Sequence, residues 1–157
     1  KKDPQAWDIE MPAFNYRRRW NLDKDGSLWI VTPGSVEQVG CIHTCQGLEV
    51  DYIGVIIGPD LIVRDGAVQT HPLKRSKMDR SLHGYQKALK EEPVAARTKA
   101  DALIRNTYRT LMTRGMKGCY VYCTDPEIAQ YLRNRVGTVG AEVLLRKVAE
   151  EPGEYES

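Results

Sequence analysis

Tyr52-Ile53-Gly54-Val55-Ile56-Ile57, closed by Gly58-Pro59, is the stretch on which the fold turns. Its apolar residues do not alternate with polar ones, so both faces read as buried, the pattern of a central parallel strand. Downstream, Leu61–Arg64 and Ala67–Thr70 flank Asp65-Gly66, a dipeptide suited to a two-residue hairpin turn; an inserted hairpin at the sheet margin is expected. Two helical stretches follow, Arg75–Glu91 and Val94–Thr113, with Pro93 where a first helical turn tolerates it. In the second, Ala100, Leu103, Ile104, Thr107 and Leu111 recur at three- and four-residue steps, and Arg114 continues that line. Gly115 then stands as a helix C-cap. Gly118–Cys123 reads as the next strand, and Asp125-Pro126-Glu127 as a capped start for a helix over Ile128–Arg135. Strand, long helical crossover, strand and helix predict an α/β domain with a mainly parallel sheet flanked by helices.

The flanks are less regular. The first forty residues carry Pro4, Pro12, Pro33 and several Asp, Asn and Gly turn signals around one expected short strand, Leu28–Thr32. Val39–His43 is a second short apolar run. Ala141–Glu150 reads as a last helix, or as a strand followed by a helix, and Pro152–Ser157 as a frayed tail.

The 157 residues suffice for one domain with a real core, and 41% hydrophobic with 28% charged residues is ordinary for a globular protein. No apolar run approaches the roughly 18 residues of a membrane helix. Lys1–Trp7 lacks the apolar stretch of a signal peptide, and the missing initiator Met suggests a fragment or an expressed domain. A formal net charge of +2 does not by itself argue for nucleic acid. Arg17-Arg18-Arg19, between Tyr16 and Trp20, and Lys74-Arg75-Ser76-Lys77 are basic clusters that each read first as solvated surface. The cysteines pair as Cys41/Cys45 and Cys119/Cys123. Both pairs sit in apolar segments rather than on turn-rich knuckles, so buried reduced thiols are expected before zinc or a disulfide.

Two segments carry candidate chemistry. His43-Thr44-Cys45-Gln46-Gly47-Leu48-Glu49-Val50-Asp51 joins one apolar run to another. Gly47 permits close backbone approach, Glu49 offers an acceptor for a ribose hydroxyl, and His43, Thr44 and Gln46 offer neutral donors. A plain strand–turn–strand connection fits the same residues. Asn106–Gly118 ends an amphipathic helix with Arg114, just before a core strand. An arginine there either satisfies the helix C-terminus or serves as a cation delivered to a phosphoryl group. Loops at strand ends are where ligands meet such sheets, and both segments can reach the C-terminal edge.

Ile42–Asp51 resembles the fifth motif of superfamily 1 helicases, Thr-x-His-x-x-Gln/Lys-Gly-x-Glu-hydrophobic, and Asn106–Gly118 resembles their sixth, a helix ending in Thr-Arg-Ala/Gly before a strand. The order of the two, the long insertion between them and Cys41-Ile-His-Thr-Cys-Gln-Gly-Leu-Glu49 are similar to an uncharacterised bacterial family with a Schlafen-group DNA/RNA helicase domain. The resemblance covers most of Val39–Val136. It implies a RecA-like second helicase lobe over residues 39–151, preceded by an irregular joining segment, 1–38, and followed by a flexible tail, 152–157. It further implies that Arg114 is the finger on the ATP γ-phosphate, that Glu49 contacts the ribose, and that Gly47 allows close nucleotide approach. Gln46 would link the nucleotide to the nucleic-acid side, with Thr113 and Arg109 in support. Cys41, His43 and Thr44 would face a single strand of DNA or RNA. Cys41 stands where many helicases have Thr, and Gly115 replaces the commoner Ala, a change expected to leave the finger usable.

The chain holds no Gly-x-x-x-x-Gly-Lys-Ser/Thr loop and no Asp-Glu pair after an apolar strand. ATP with Mg2+ is therefore expected to be bound mainly by a first RecA-like lobe of the same polypeptide, and this lobe to be inert alone. A cytoplasmic protein with no membrane partner is implied. The alternatives are a non-catalytic nucleic-acid or protein binding module on the same fold and, more remotely, a metal-binding domain using the four cysteines.

Overall fold

The computed structural model describes residues 7–20, 29–76 and 79–137. In chain order these form β1 (Ile9–Met11), β2 (Tyr16–Trp20), β3 (Gln38–Val39), α1 (Ile42–Cys45), β4 (Val50–Ile57), β5 (Leu61–Arg64), β6 (Ala67–Thr70), α2 (Tyr85–Glu91), α3 (Pro93–Met112), β7 (Gly115–Cys123) and α4 (Pro126–Val136). Short 3-10 turns lie at Pro12–Phe14, Ser35–Glu37, Pro72–Lys74 and Arg80–Leu82.

The α/β class holds, but a mainly parallel sheet does not. The strands form three small sheets, β1-β2-β3, β4-β7 and β5-β6. β1 and β2 are antiparallel, β2 and β3 parallel, and β5 and β6 antiparallel. β4 and β7 start and end together: Val50 N donates to Arg114 O (3.1 Å) at one end and Thr124 N to Ile57 O (3.0 Å) at the other. The two therefore run in the same direction. β4 is not the doubly covered central strand its composition predicts, because Tyr52 and Gly54 are exposed while Val55 and Ile57 are buried.

The chain divides into two compact units. One comprises Lys1–Ile53 with Arg109–Cys119, the other Gly54–Tyr108 with Tyr120–Ser157. In the first, the expected strand at Leu28–Thr32 is absent from its described part, where Trp29, Ile30 and Val31 make a 3-10 turn. The irregular reading of the first forty residues is replaced by β1–β3. Pro12 opens the 3-10 turn of the β1–β2 hairpin, and Asn15 closes it at φ 48°, a left-handed conformation that asparagine tolerates. Val39–His43 is not one apolar strand, since β3 ends at Val39 and α1 begins at Ile42.

The second unit holds the core. Ala96, Ala100, Ile104 and Tyr108 bury one stripe of α3, with Val55 and Ile57 of β4, Leu61, Ile62 and Val63 of β5, and Ile128 of α4 also buried. Each such large aliphatic side chain contributes roughly 1.5–3 kcal/mol by leaving water. The hairpin forms as its turn dictates, with Asp65 at φ 53° and Gly66 at φ 70°. Asp125 caps α4, its Oδ1 accepting from Glu127 N (2.9 Å) and Ile128 N (3.2 Å), and Pro126 follows at the first helical position.

The expected helix over Arg75–Glu91 is broken. Within its described residues only Tyr85–Glu91 is α-helical, and Gly84 precedes it at φ 81°. The cause is tertiary. Arg75 donates from Nη1 to Asp60 Oδ2 (2.7 Å), from Nε to Asp79 Oδ2 (2.7 Å) and from Nη2 to Thr107 Oγ1 (3.4 Å). Tyr108 donates to Asp60 Oδ1 (2.6 Å) and accepts from Gly58 N (3.0 Å). Burial, then the Asp60 carboxylate, pushes the Tyr108 hydroxyl far above the usual phenol range. Thus Arg75, read in sequence as part of a solvated basic run, is the centre of a buried network. Ala141–Glu150 and the Pro152–Ser157 tail lie outside the described residues.

Candidate functional site

The 43–51 segment and the Arg109–Gly118 part of the second segment lie in the first unit, where the backbone joins them, while Asn106, Thr107 and Tyr108 belong to the second. Residues 41–49 follow β3 and lead into β4, while Arg114 stands immediately before β7. The site is therefore at the starting ends of β4 and β7, not at the C-terminal edge that the sheet rule suggests. The Val50 N to Arg114 O bond stitches the two segments there, and Arg114 Nη1 reaches Leu48 O at 3.5 Å.

Arg114 is half-buried and uses its guanidinium locally. Nε donates to Thr110 O (3.1 Å), which serves the carbonyls left open at the end of α3, and Nη2 lies 3.5 Å from Thr113 Oγ1. Thr113 is exposed and donates to Thr110 O (3.1 Å); Arg109 is exposed one turn earlier. Two of the three Arg114 contacts are at the outer limit of hydrogen bonding, so they hold the cation weakly.

Gly115 does not act as a helix C-cap; it opens β7. Nor is it interchangeable with alanine, because a Cβ there would meet Gly118 O at 2.1 Å and Ile53 Cγ2 at 3.1 Å. Gly115 and Gly118 thus approach each other closely at the start of β7, directly after Arg114.

The 41–49 segment is a one-turn helix with an extended exit. Cys41 is its N-cap: Cys41 N donates to Thr44 Oγ1 (3.0 Å), and Thr44 Oγ1 lies 3.1 Å from Cys41 O and 3.8 Å from Cys41 Sγ. The Thr44 hydroxyl is thereby spent within the turn. Trp29 Nε1 donates to Thr44 O (3.1 Å), anchoring the turn from outside. Gly40 admits that indole, since a Cβ would meet Trp29 Cζ2 at 2.5 Å and Cys45 Sγ at 3.0 Å. His43, Gln46, Gly47 and Glu49 are exposed. Gly47 takes φ 82° with open space where a side chain would stand, which gives a ligand access to its backbone.

Sequence reasoning named the exposed side chains but missed the scaffold. Trp29, Gly40 and the Leu48 carbonyl position the segment, and only a Gly directly before the Cys-x-x-Thr spacing of the cap was visible in advance. It also missed the cross-strand pair of Asp51 and Lys117 (Oδ2 to Nζ, 2.8 Å), which flanks the site. All four cysteines are unbridged, and burial pushes the Cys45, Cys119 and Cys123 thiols up. Among the described residues no group of three or more His, Cys, Asp or Glu side chains could hold a metal, and no helix is long and apolar enough to cross a membrane.

Residues 1–125 match the family described as Schlafen group 3, DNA/RNA helicase domain. The match includes the N-terminal segment that motif reading alone left out. Over 120 residues the chain is 31% identical to the uncharacterized protein YPL245W of Saccharomyces cerevisiae, covering 75% of this chain and 26% of that one. No solved structure matches. The family match covers most of the chain, and this protein therefore belongs to the Schlafen group 3 DNA/RNA helicase domain family.

Proposed function

We propose that this chain is the second, RecA-like lobe of a superfamily 1-type, nucleic-acid-dependent ATPase or helicase. The observation that carries the reading is the convergence of residues 46–49 with Arg114 through the Val50–Arg114 and Leu48–Arg114 hydrogen bonds. A cation then stands next to a segment that carries an exposed carboxylate and an accessible glycine backbone. These groups fit one wall of a nucleotide site. Glu49 accepts from a ribose hydroxyl, Gly47 lets the nucleotide approach its backbone, and Gln46 lies between nucleotide and strand. Arg114, with Thr113 and Arg109 nearby, supplies positive charge to the γ-phosphate. Cys41, His43 and Thr44 lie toward the strand, with the exposed His43 best placed to meet it, because the Thr44 hydroxyl, amide and carbonyl are already engaged.

ATP with Mg2+ would supply the transferable phosphoryl group. The residues that cradle phosphate and metal belong to a first lobe of the same polypeptide, since the sequence here has no phosphate-binding loop. Single-stranded DNA or RNA is the other partner. The long contacts of Arg114 Nη1 with Leu48 O and of Nη2 with Thr113 Oγ1, both 3.5 Å, support a cation whose outer nitrogens can be redirected when a phosphate arrives.

In the full-length protein, Arg114→Ala is expected to lower nucleic-acid-stimulated ATP turnover by about 10³–10⁵-fold while nucleotide still binds. Unchanged turnover would remove the finger assignment. No ATP turnover in the wild-type protein would instead favour a non-catalytic binding module, in which Arg114 only closes α3 and holds the Leu48 carbonyl, the role its present contacts already perform.

A further inference from the structure

The insertion between the two motif segments has its own cleft, wholly within the second unit. It has a volume of about 640 Å³ and lies between the Pro72–Ser76 turn and α2. His83, Gln86, Lys87 and Lys90 line one wall at three- and four-residue spacing, so a single polar stripe of α2 and its leading turn faces the opening. Leu73 and Tyr85 supply apolar and aromatic surface. Leu73 is 64% exposed, which a residue serving only the core would not be.

Charge decides what fits. Arg75 and Asp79 also line the cleft, but they neutralise each other, with Asp60 behind them, and Asp79 Oδ1 further accepts from Ser81 N (2.8 Å). The Asp79 carboxyl is held below the usual range: burial opposes this, but bonds from Ser81 and the Arg75 charge outweigh it. Among the described lining residues, the cations left for a ligand are Lys87 and Lys90. Lys87 lies 3.8 Å from Glu91 with both side chains mostly exposed, a pairing that water and salt weaken. Lys90 is exposed and makes no ion pair among the described residues.

We propose that this cleft binds a phosphate–base unit of single-stranded nucleic acid, with phosphates on Lys87 and Lys90 and a base against Tyr85. Two cations beside an aromatic ring and an aliphatic side chain match a nucleotide's charge and its flat apolar face. An acidic peptide would use the lysines but leave Tyr85 and Leu73 without a role. The choice of nucleic acid rests on the family-level reading; the cleft's use does not rest on Arg114 or on ATP hydrolysis.

The test is equilibrium binding of a fluorescently labelled homopyrimidine strand, DNA and RNA in turn, to the 157-residue chain without ATP. Lys87→Glu with Lys90→Glu is expected to weaken binding about tenfold or more and to reduce the slope of log affinity against log salt by roughly 1.4, two single-strand phosphate contacts. Tyr85→Ala is expected to weaken it between about fivefold and a hundredfold, the range of a lost stack. Lys87→Gln with Lys90→Gln repeats the test without reversing charge, and circular dichroism checks that each variant is folded. An equal loss in Arg97→Glu with Lys99→Glu, on the exposed side of α3, would overturn the site in favour of bulk charge. Equal competition by a free nucleoside monophosphate would reassign the cleft to a small ligand. Equal competition by poly-glutamate would reassign it to acidic protein. No binding of the wild-type chain to either strand at low salt would also overturn it. Because no turnover is measured, failure here leaves the Arg114 test untouched, and the reverse holds.

Discussion

The unit that carries the candidate site has almost no core, whereas the unit that carries the insertion has nearly all of it. Every buried hydrophobic side chain among the described residues except Cys45 lies in Gly54–Tyr108 or Tyr120–Ser157. The polar groups differ in the same sense. Asp60, Arg75, Asp79, Thr107 and Tyr108 are paired inside the second unit, while Gln46, Glu49, Arg109 and Thr113 stand exposed in the first. The core and the candidate site thus fall in different stretches of the same chain. The elements β4, α3 and β7 each contribute residues to both units.

The largest expected effect comes from breaking the buried network. Asp60→Ala leaves Arg75 with one carboxylate and Tyr108 without its acceptor, and is expected to cost about 3–5 kcal/mol in denaturant unfolding. If Asp51→Ala in the site unit cost as much, the division between a stabilising and a functional unit would be wrong.

Gly115→Ala comes next, because the added Cβ meets main chain rather than a side chain that can swing away. A loss of about 1–3 kcal/mol is expected from overpacking. Since the strain falls at the start of β7, the variant should also disturb the adjacent Arg114, seen as a loss of the proposed ATP turnover. Wild-type stability in this variant would mean that the start of β7 adjusts freely and does not position the site.

These outcomes bear on what sequence could reveal. The Asp65-Gly66 hairpin, α3 from Pro93 and the Asp125 cap of α4 were legible because each is decided within a few residues by φ preference or a local hydrogen bond. The break in Arg75–Glu91 was not, because its cause is Asp60, fifteen residues upstream, and Tyr108, on the far side of α2 in sequence. The β1–β2 hairpin was hidden by its turn, which uses Pro12 and a left-handed Asn15 instead of an Asn-Gly pair. In the site, side-chain types at Gln46, Gly47, Glu49 and Arg114 pointed to nucleotide chemistry. That Arg114 rests on main-chain oxygens, and that both segments meet at the starts of β4 and β7, depends on long-range pairing that no local pattern encodes.

Asp125 offers a smaller test with a pH signature. The Arg64 hydrogen bond, and then the amides of Ile128 and Glu127, hold its carboxyl below the usual range against the opposing effect of burial. The folded-state value is depressed, so its stabilisation is complete above the unfolded value near pH 3.9 and is lost as pH falls through the lower folded value. Asp125→Ala should therefore cost about 0.5–2 kcal/mol at neutral pH, with the deficit shrinking below about pH 4. A deficit unchanged at lower pH would assign the effect to the cap's shape rather than its charge.

The smallest effect is expected at Lys117, whose ion pair with Asp51 bridges β4 and β7 beside the site. The pair raises the lysine above its usual range, through the Asp51 hydrogen bond first and its charge second. Both side chains are more than half exposed, so water and salt screen the attraction. Lys117→Ala should leave the denaturant unfolding midpoint nearly unchanged. A double-mutant cycle with Asp51→Ala, run at low and high salt, separates this pair from the rest of the unit. A coupling that persists in high salt would show a site unit holding its strands by electrostatics that water does not reach, and the contrast with the buried Asp60–Arg75 pair would then be one of degree only.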